Sequence, residues 1–324
     1  MNAYRHLFIV AMMAGTCLWP ATAQAQEFPS KPIKVVVGYA AGGAVDVVAR
    51  TIGQSLSTSM GQPVVVENKP GAGTNIAVKS VINAEPDGYT LMMAANALAA
   101  NMSLYQPAPF DAERDLVAVS LMGRVPVVIA ANPAAPYANI KQLIEAAKGK
   151  PNSIAFGSPG NGSTPHMAIE LFARAAGIDL QHIPYRGGSP AITDVIGGQL
   201  PLVAVNALEV LPHAKSGKLK VLAVLSPNRS AILSDVPTIA EAGYKGFEAL
   251  SWSGMSVVKG TPQPIVAKLE SALAQVMQSD NIKQRMGSVG FIIPAQGSKP
   301  YTAFVQSELD TWTKVIKTAG IKPQ

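Results

Sequence analysis

Ile33-Lys34-Val35-Val36-Val37-Gly38-Tyr39-Ala40-Ala41-Gly42-Gly43-Ala44-Val45-Asp46-Val47-Val48-Ala49-Arg50 runs from a β-branched stretch, through glycines, into helical apolar spacing. Residues 33–38 read as a short buried strand, bounded by Pro32 and the Gly42-Gly43 pair. Residues 44–60 read as a helix, because Val47, Val48, Ile52 and Leu56 recur at three- and four-residue spacings. A strand that turns through glycine into a helix is the repeating unit of an α/β fold.

Outward from this unit the rhythm repeats. Residues 63–66 read as strand, 74–82 as helix and 89–92 as strand. The alternation returns at 153–156 with 166–176, at 182–184 with 191–196, and at 202–205 with 208–215. A strand at 219–225 and long helices at 264–278 and 300–317 complete it, predicting mainly parallel sheets. Two nearly continuous β-rich stretches, 116–131 and 249–258, are the candidates for segments linking one lobe to another.

At 324 residues the chain is long enough for two domains. Its single cysteine, Cys17, excludes an internal disulfide, a thiolate zinc cage and an iron–sulfur cluster. Twenty-six basic against twenty acidic residues, with no basic run, leave no electrostatic footprint for nucleic acid.

Residues 1–25 read as a signal peptide. Arg5 precedes an uncharged apolar run, and Ala23-Gln24-Ala25 supplies the small-x-small pattern of a cleavage site, with Ala21-Thr22-Ala23 as the alternative. Cleavage is placed after Ala25, which predicts a periplasmic protein. A lipoprotein acylated at Cys17 is the competing reading, but Ala14 and Thr16 fit a lipobox poorly. Removing the segment takes away the only cysteine, leaving no thiol to oxidise outside the cytoplasm.

Four strand-to-helix turns share one chemistry: residues 38–43, 68–75, 156–165 and 185–190. Thr164 and Ser189 read as N-caps, with Pro165 and Pro190 as first helical residues. Each turn directs backbone N–H groups from the positive end of a helix, where a small anion binds. Such turns also occur as plain βα junctions in any α/β protein. Asp46 reads as a helix-start residue, Asp194 as a cleft or solvated carboxylate, and Arg186 as a surface arginine or the partner of a second ligand carboxylate.

Signatures of catalysis are absent. Residues 71–76 begin like a dinucleotide fingerprint but carry Ile76 for the third glycine, and 157–163 have Ser163 where a phosphate loop needs lysine. No G-x-S-x-G elbow occurs. His166, His182 and His213 form no i, i+4 pair, so neither a metal site nor a cofactor is expected. The enzymatic alternative is a hydrolase using Ser163 or Ser158 with His166; the plainer reading of His166 is a polar surface group.

The segments 28–33 and 37–50, then Val66-Glu67-Asn68-Lys69-Pro70-Gly71-Ala72-Gly73, Asp87-Gly88-Tyr89-Thr90-Leu91, Tyr185-Arg186-Gly187-Gly188-Ser189-Pro190-Ala191 and Gly197-Gly198-Gln199, resemble the Bug family in the same order. These are extracytoplasmic receptors of tripartite tricarboxylate transporters. The resemblance covers essentially the whole chain after the signal; Tyr39 stands where many relatives show Phe.

The resemblance implies a two-lobed type II periplasmic-binding-protein fold, with a ligand cleft between lobes and two hinge crossovers. The lobes are expected at 26–124 with 251–324, and at 125–250. It implies a non-enzymatic receptor, expected to act as a monomer, that holds a small carboxylate and delivers it to membrane permease subunits. Carried over by position, ligand contacts fall on Tyr39, Ala40, Ala41, Gly43, Ser158, Asn161, Ser163, Thr164 and Tyr185, with Asp194 and Asn206 as further candidates. A sensor partner with the same pocket is the alternative role.

Overall fold

The computed structural model describes residues 27–294 and 297–323. The signal segment and its cleavage site lie outside the described residues. In chain order the elements are β1 (Ile33–Val37), α1 (Ala44–Met60), β2 (Val64–Asn68), α2 (Asn75–Ile82), β3 (Thr90–Ala95), α3 (Ala97–Leu104), α4 (Ala112–Asp115) and β4 (Leu116–Ala131). Then come α5 (Ile140–Ala147), β5 (Ala155–Ser158), α6 (Thr164–Ala176), β6 (Gln181–Pro184), α7 (Gly188–Ile196), β7 (Leu202–Asn206), α8 (Ala207–Lys215) and β8 (Lys220–Val224). The chain closes with β9 (Leu250–Val258), α9 (Gln263–Gln278), α10 (Asp280–Gly287) and α11 (Ser298–Ala319).

Strand order is β2-β1-β3-β9-β4-β7-β5-β6, with β8 also paired to β4. The β1–β2, β1–β3, β5–β6 and β5–β7 pairs are parallel. Every pair made by β4 or β9 is antiparallel. The sheet is therefore mixed, not mainly parallel: strands joined through a helix return in the same direction, whereas the two strands linking the halves run against their neighbours.

β4 carries the two-lobed design. From Leu116 to Pro126 it pairs with β9, and from Val127 to Ala131 it pairs with β7 and, through residues 128–131, with β8. Pro126 stands at the exchange of partners, a position that suits a residue with no N–H for a ladder. The other crossover lies beside it, where Val127 N–H donates to Ala249 O and Ala249 N–H to Leu225 O just before β9 begins. The largest apolar cluster runs through both halves, joining Ile33, Val48 and Met255 to Val195, Val203 and Val210, and smaller ones lie mainly within each. Val127, Leu143, Phe156, Phe172 and Leu202 share one, and Val36, Val78, Met92, Trp252 and Tyr301 share another.

The helices follow their apolar spacing where one face is wet. In α1, Val48, Ile52 and Leu56 are buried, and Gly61 ends the helix in the left-handed region. Two starts differ from expectation. Ser163, not Thr164, caps α6, because its hydroxyl accepts the His166 N–H. α7 begins at Gly188 behind Gly187, not at Pro190 behind Ser189. Helix α3 was not expected at all: Ala97 to Ala100, Asn101 and Leu104 are buried, so it has little polar face to mark its period.

Candidate functional site

Several helices begin at one cavity. Its walls include Gly43 and Ala44 at the start of α1, Ser163, Thr164 and Pro165 at α6, Gly188 at α7, and Asn206, the N-cap of α8. Asn96, which precedes α3, lines it as well. The cavity encloses about 30 Å³, space for roughly two waters. No lysine or arginine lines it among the described residues. Each helix start carries roughly half a positive charge, and the Glu209 side chain stands in the same wall.

Local chemistry fixes these starts. At α1, buried Asp46 accepts from Gly42 N–H at 2.9 Å, Arg50 Nε at 3.0 Å and Asn68 Nδ2 at 2.8 Å. Burial pushes its pKa up, but the bonds from Arg50, Gly42 and Asn68 outweigh that and hold it below the ordinary value. At α6, Ser163 Oγ donates to Gly160 O at 2.7 Å while capping the helix.

The amides of the first glycine loop are largely spent inside the protein. Ala40 N–H donates to Arg186 O at 2.7 Å, Gly42 N–H goes to Asp46, and Gly43 N–H reaches Ala40 O at 3.4 Å. Ala44 N–H donates to the carboxylate of Glu209.

Glu209 was not singled out from the sequence. It is 7% exposed, lines the cavity, and accepts from Asn206 N–H at 3.0 Å and Asn206 Nδ2 at 2.9 Å. Burial raises its pKa, and the bonds from Asn206 and Ala44 oppose the rise. Burial, with the Glu209 charge behind it, also raises the Tyr39 phenol, so Tyr39 presents a protonated hydroxyl. The Asn-x-x-Glu spacing at 206–209 was the available signal, since it marks a capping box.

Of the expected contact residues, Tyr39, Gly43, Ser163, Thr164 and Asn206 meet at this cavity. Asn161 and Tyr185 line a neighbouring recess of about 350 Å³ with Gly73, Tyr105 and Arg186, and Tyr39 borders both spaces. Ala40 and Ala41 line neither, and Ala41 is exposed. Asp194 faces the protein, accepting from Tyr185 Oη at 2.5 Å. Burial and that carboxylate push Tyr185 up to about 12. Ser158 is wholly buried beneath the α6 loop, 2.6 Å from His182 Nε2 and accepting Gly160 N–H at 3.1 Å.

His166 is not a surface group: it is 0% exposed and stacks on His182 with ring centroids 4.0 Å apart. Its Nδ1 accepts Gly162 N–H at 3.3 Å, whereas the Ser163 hydroxyl donates to a carbonyl. Ser163 and His166 are thus engaged separately, not as nucleophile and base. Burial lowers His166 to about 4, and burial plus the neighbouring His166 lowers His182 to about 2. No cluster of three metal-ligating side chains occurs among the described residues.

Two lobes on a mixed sheet, joined by two strands, with helix starts turned onto the cavity between them, define a periplasmic solute-binding protein. Residues 48–321 match the model of the tripartite tricarboxylate transporter family receptors, and the chain belongs to that family. Protein BugT of Bordetella pertussis is 34% identical over 99% of both chains. The structure of the periplasmic binding protein BugD superposes with a TM-score of 0.87 at 34% identity, covering 92% of this chain and 100% of that one. An R. palustris protein solved with adipate gives 0.87 at 32% identity over the same shares. Among the described residues no helix is long and apolar enough to cross a membrane.

Proposed function

We propose that this receptor is exported by residues 1–25, closes on a small organic carboxylate, and delivers it to the membrane permease of a tripartite tricarboxylate transporter. The observation that carries the reading is the convergence of the α1, α6, α7 and α8 starts on a cavity without a cationic side chain. The adipate held by the R. palustris relative supports the ligand class. In this reading Tyr39, Ser163 and Thr164 hold the carboxylate, with Gly43 and Asn206 shaping the cavity and Asn161 and Tyr185 meeting the rest of the ligand. The Ala40 amide, already given to Arg186 O, ties this loop across the cleft, with Ala41 beside it. Ser158 and Asp194 brace the walls.

The lobes in this reading are 26–124 with 251–324, and 125–250. The change of partners in β4 at residues 126–127 supports the first boundary. Contacts already join the halves: Ala40 N–H to Arg186 O, and Asn96 Nδ2 to Gly162 O at 2.9 Å. The ligand drives closure only by its greater affinity for the closed form. Calorimetric titration of the full chain lacking residues 1–25, stripped of bound ligand, against mono-, di- and tricarboxylates tests the reading. Saturable binding of a carboxylate with a fall in radius of gyration is expected; heat from none of them overturns it.

A further inference from the structure

The two crossover strands have two faces. Arg124 pairs with Trp252, Val125 with Ser251 and Pro126 with Leu250, so residues 125 and 251 share one face and 124, 126, 250 and 252 the other. Val125 and Ser251 line the cleft cavity. On the opposite face Arg124 and Leu250 open onto a separate space of about 430 Å³, walled by Phe247 ahead of β9 and by Phe304, Glu308 and Trp312 of α11. That volume suits a small ligand.

Arg124 is half-buried, and its guanidinium lies over the Phe304 ring, 5.7 Å from the centroid. Among the described residues its side chain makes no ion pair and no hydrogen bond. The neighbouring acid is engaged elsewhere: Glu308 Oε2 accepts from Trp252 Nε1 at 2.8 Å and from Trp312 Nε1 at 3.0 Å. Burial raises the Glu308 pKa, and the two indole bonds and the Arg124 charge oppose the rise. Glu308 is thus bonded to the tryptophans and not to Arg124. A guanidinium that rests its face on a ring keeps its in-plane N–H donors for an acceptor. A carboxylate matches that fork with two parallel bonds. Around it the half-buried Phe247 and Phe304 and the Trp312 ring offer apolar contact to a flat partner.

We propose that this space behind the crossover strands is a second ligand site, for a flat aromatic monocarboxylate. Arg124 takes the carboxylate, and the ring of the ligand lies among Phe247, Leu250, Phe304 and Trp312. The site is independent of the ligand assigned to the cleft.

Benzoate and 2-naphthoate, with 2-naphthamide as the uncharged counterpart, are titrated by calorimetry into the stripped full chain without residues 1–25. Trp252 and Trp312 are the only tryptophans after residue 25, and both bond Glu308, so their emission reports on this space. At least one of the acids is expected to bind saturably and to change that emission, and naphthamide to bind at least tenfold more weakly. Arg124→Gln is expected to weaken the acid tenfold or more, and Arg124→Lys, which keeps the charge without the fork, by less. Amide hydrogen exchange in the complex is expected to slow at residues 246–250 and 304–312. Four results each overturn the site: no binding of either acid, naphthamide binding as tightly as naphthoate, a folded Arg124→Gln as tight as wild type, or slowed exchange confined to residues 160–165. The last of these puts the acid in the cleft and leaves the carboxylate reading standing. Should Arg124→Gln not fold, the exchange pattern and the preference for acid over amide in the wild type decide.

Discussion

Gly188, the first residue of α7, stands directly against the carboxylate of Glu209 in α8, so that a Cβ at 188 would overlap Oε1. Glu209 has little room to retreat: Asn206 holds it from its own helix and Ala44 from across the cleft. The glycine is required here by close approach.

Gly188→Ala is therefore expected to destabilise the protein by about 1–3 kcal/mol, the usual cost of overpacking. Gly287→Ala, which meets open space in α10, is the control and is expected to stay within about 0.5 kcal/mol of wild type. Urea denaturation of both variants checks this. Equal stabilities would mean that Glu209 moves aside without cost.

The His166–His182 stack predicts acid sensitivity well above the carboxylate range. Both imidazoles fold neutral, with values of about 4 and about 2 against 6.5 when unfolded. Below pH 6.5 the unfolded chain binds protons that the folded chain refuses, so stability is lost as pH falls, by about 1.4 kcal/mol per pH unit for each histidine. Between pH 7 and pH 5 the wild type is expected to lose roughly 4 kcal/mol from the pair. His166→Gln is expected to lose about half as much over the same interval. Denaturation midpoints at the two pH values provide the measurement, and the slope is what decides it.

The sequence disclosed the scaffold more fully than the site. Residues 116–131 read as one continuous β-rich stretch and are one strand, β4, because a strand buried along most of its length keeps its apolar character throughout. Helix α1 was legible because one of its faces meets water. Helix α3 was not, because burial nearly all round removes the period on which the reading depends. At the site, Ser163 and Thr164 were legible from local cap chemistry. Glu209 was not: its spacing from Asn206 announces a cap, but its bond to Ala44 exists only once β7–α8 is folded against α1. His166 was misread for a related reason. Its place in the first turn of α6 resembles an exposed position, whereas in the folded chain it is buried, with His182 stacked on its ring and Gly162 N–H at Nδ1.

Asp46 predicts a second pH effect of a different kind. Its pKa is held below 3.8, so its contribution is present above that value and is lost as pH falls through the lowered one. Asp46→Asn is expected to cost about 1–3 kcal/mol at pH 7, since Gly42 N–H, Arg50 and Asn68 all lose a charged acceptor. Near pH 3 the gap between variant and wild type is expected to narrow. A gap that stays constant from pH 7 to pH 3 would show that the carboxylate charge does not stabilise the α1 start.

Asn96 predicts an effect on lobe closure as well as on folding. In the division of lobes proposed above, its amide lies in the first, just before α3, and donates to Gly162 O in the α6 loop of the second. In a closed molecule, Asn96→Ala leaves that buried carbonyl without its donor, at about 1–3 kcal/mol. In an open molecule, water reaches the same carbonyl and the loss is small. The penalty therefore falls on the closed form, and an equilibrium between the two shifts toward the open one by about ten- to hundredfold. The ligand-free variant is expected to scatter with a larger radius of gyration than wild type, and saturating ligand is expected to restore the smaller value. An unchanged radius would mean that other contacts, such as Ala40 N–H to Arg186 O, hold the lobes together without Asn96.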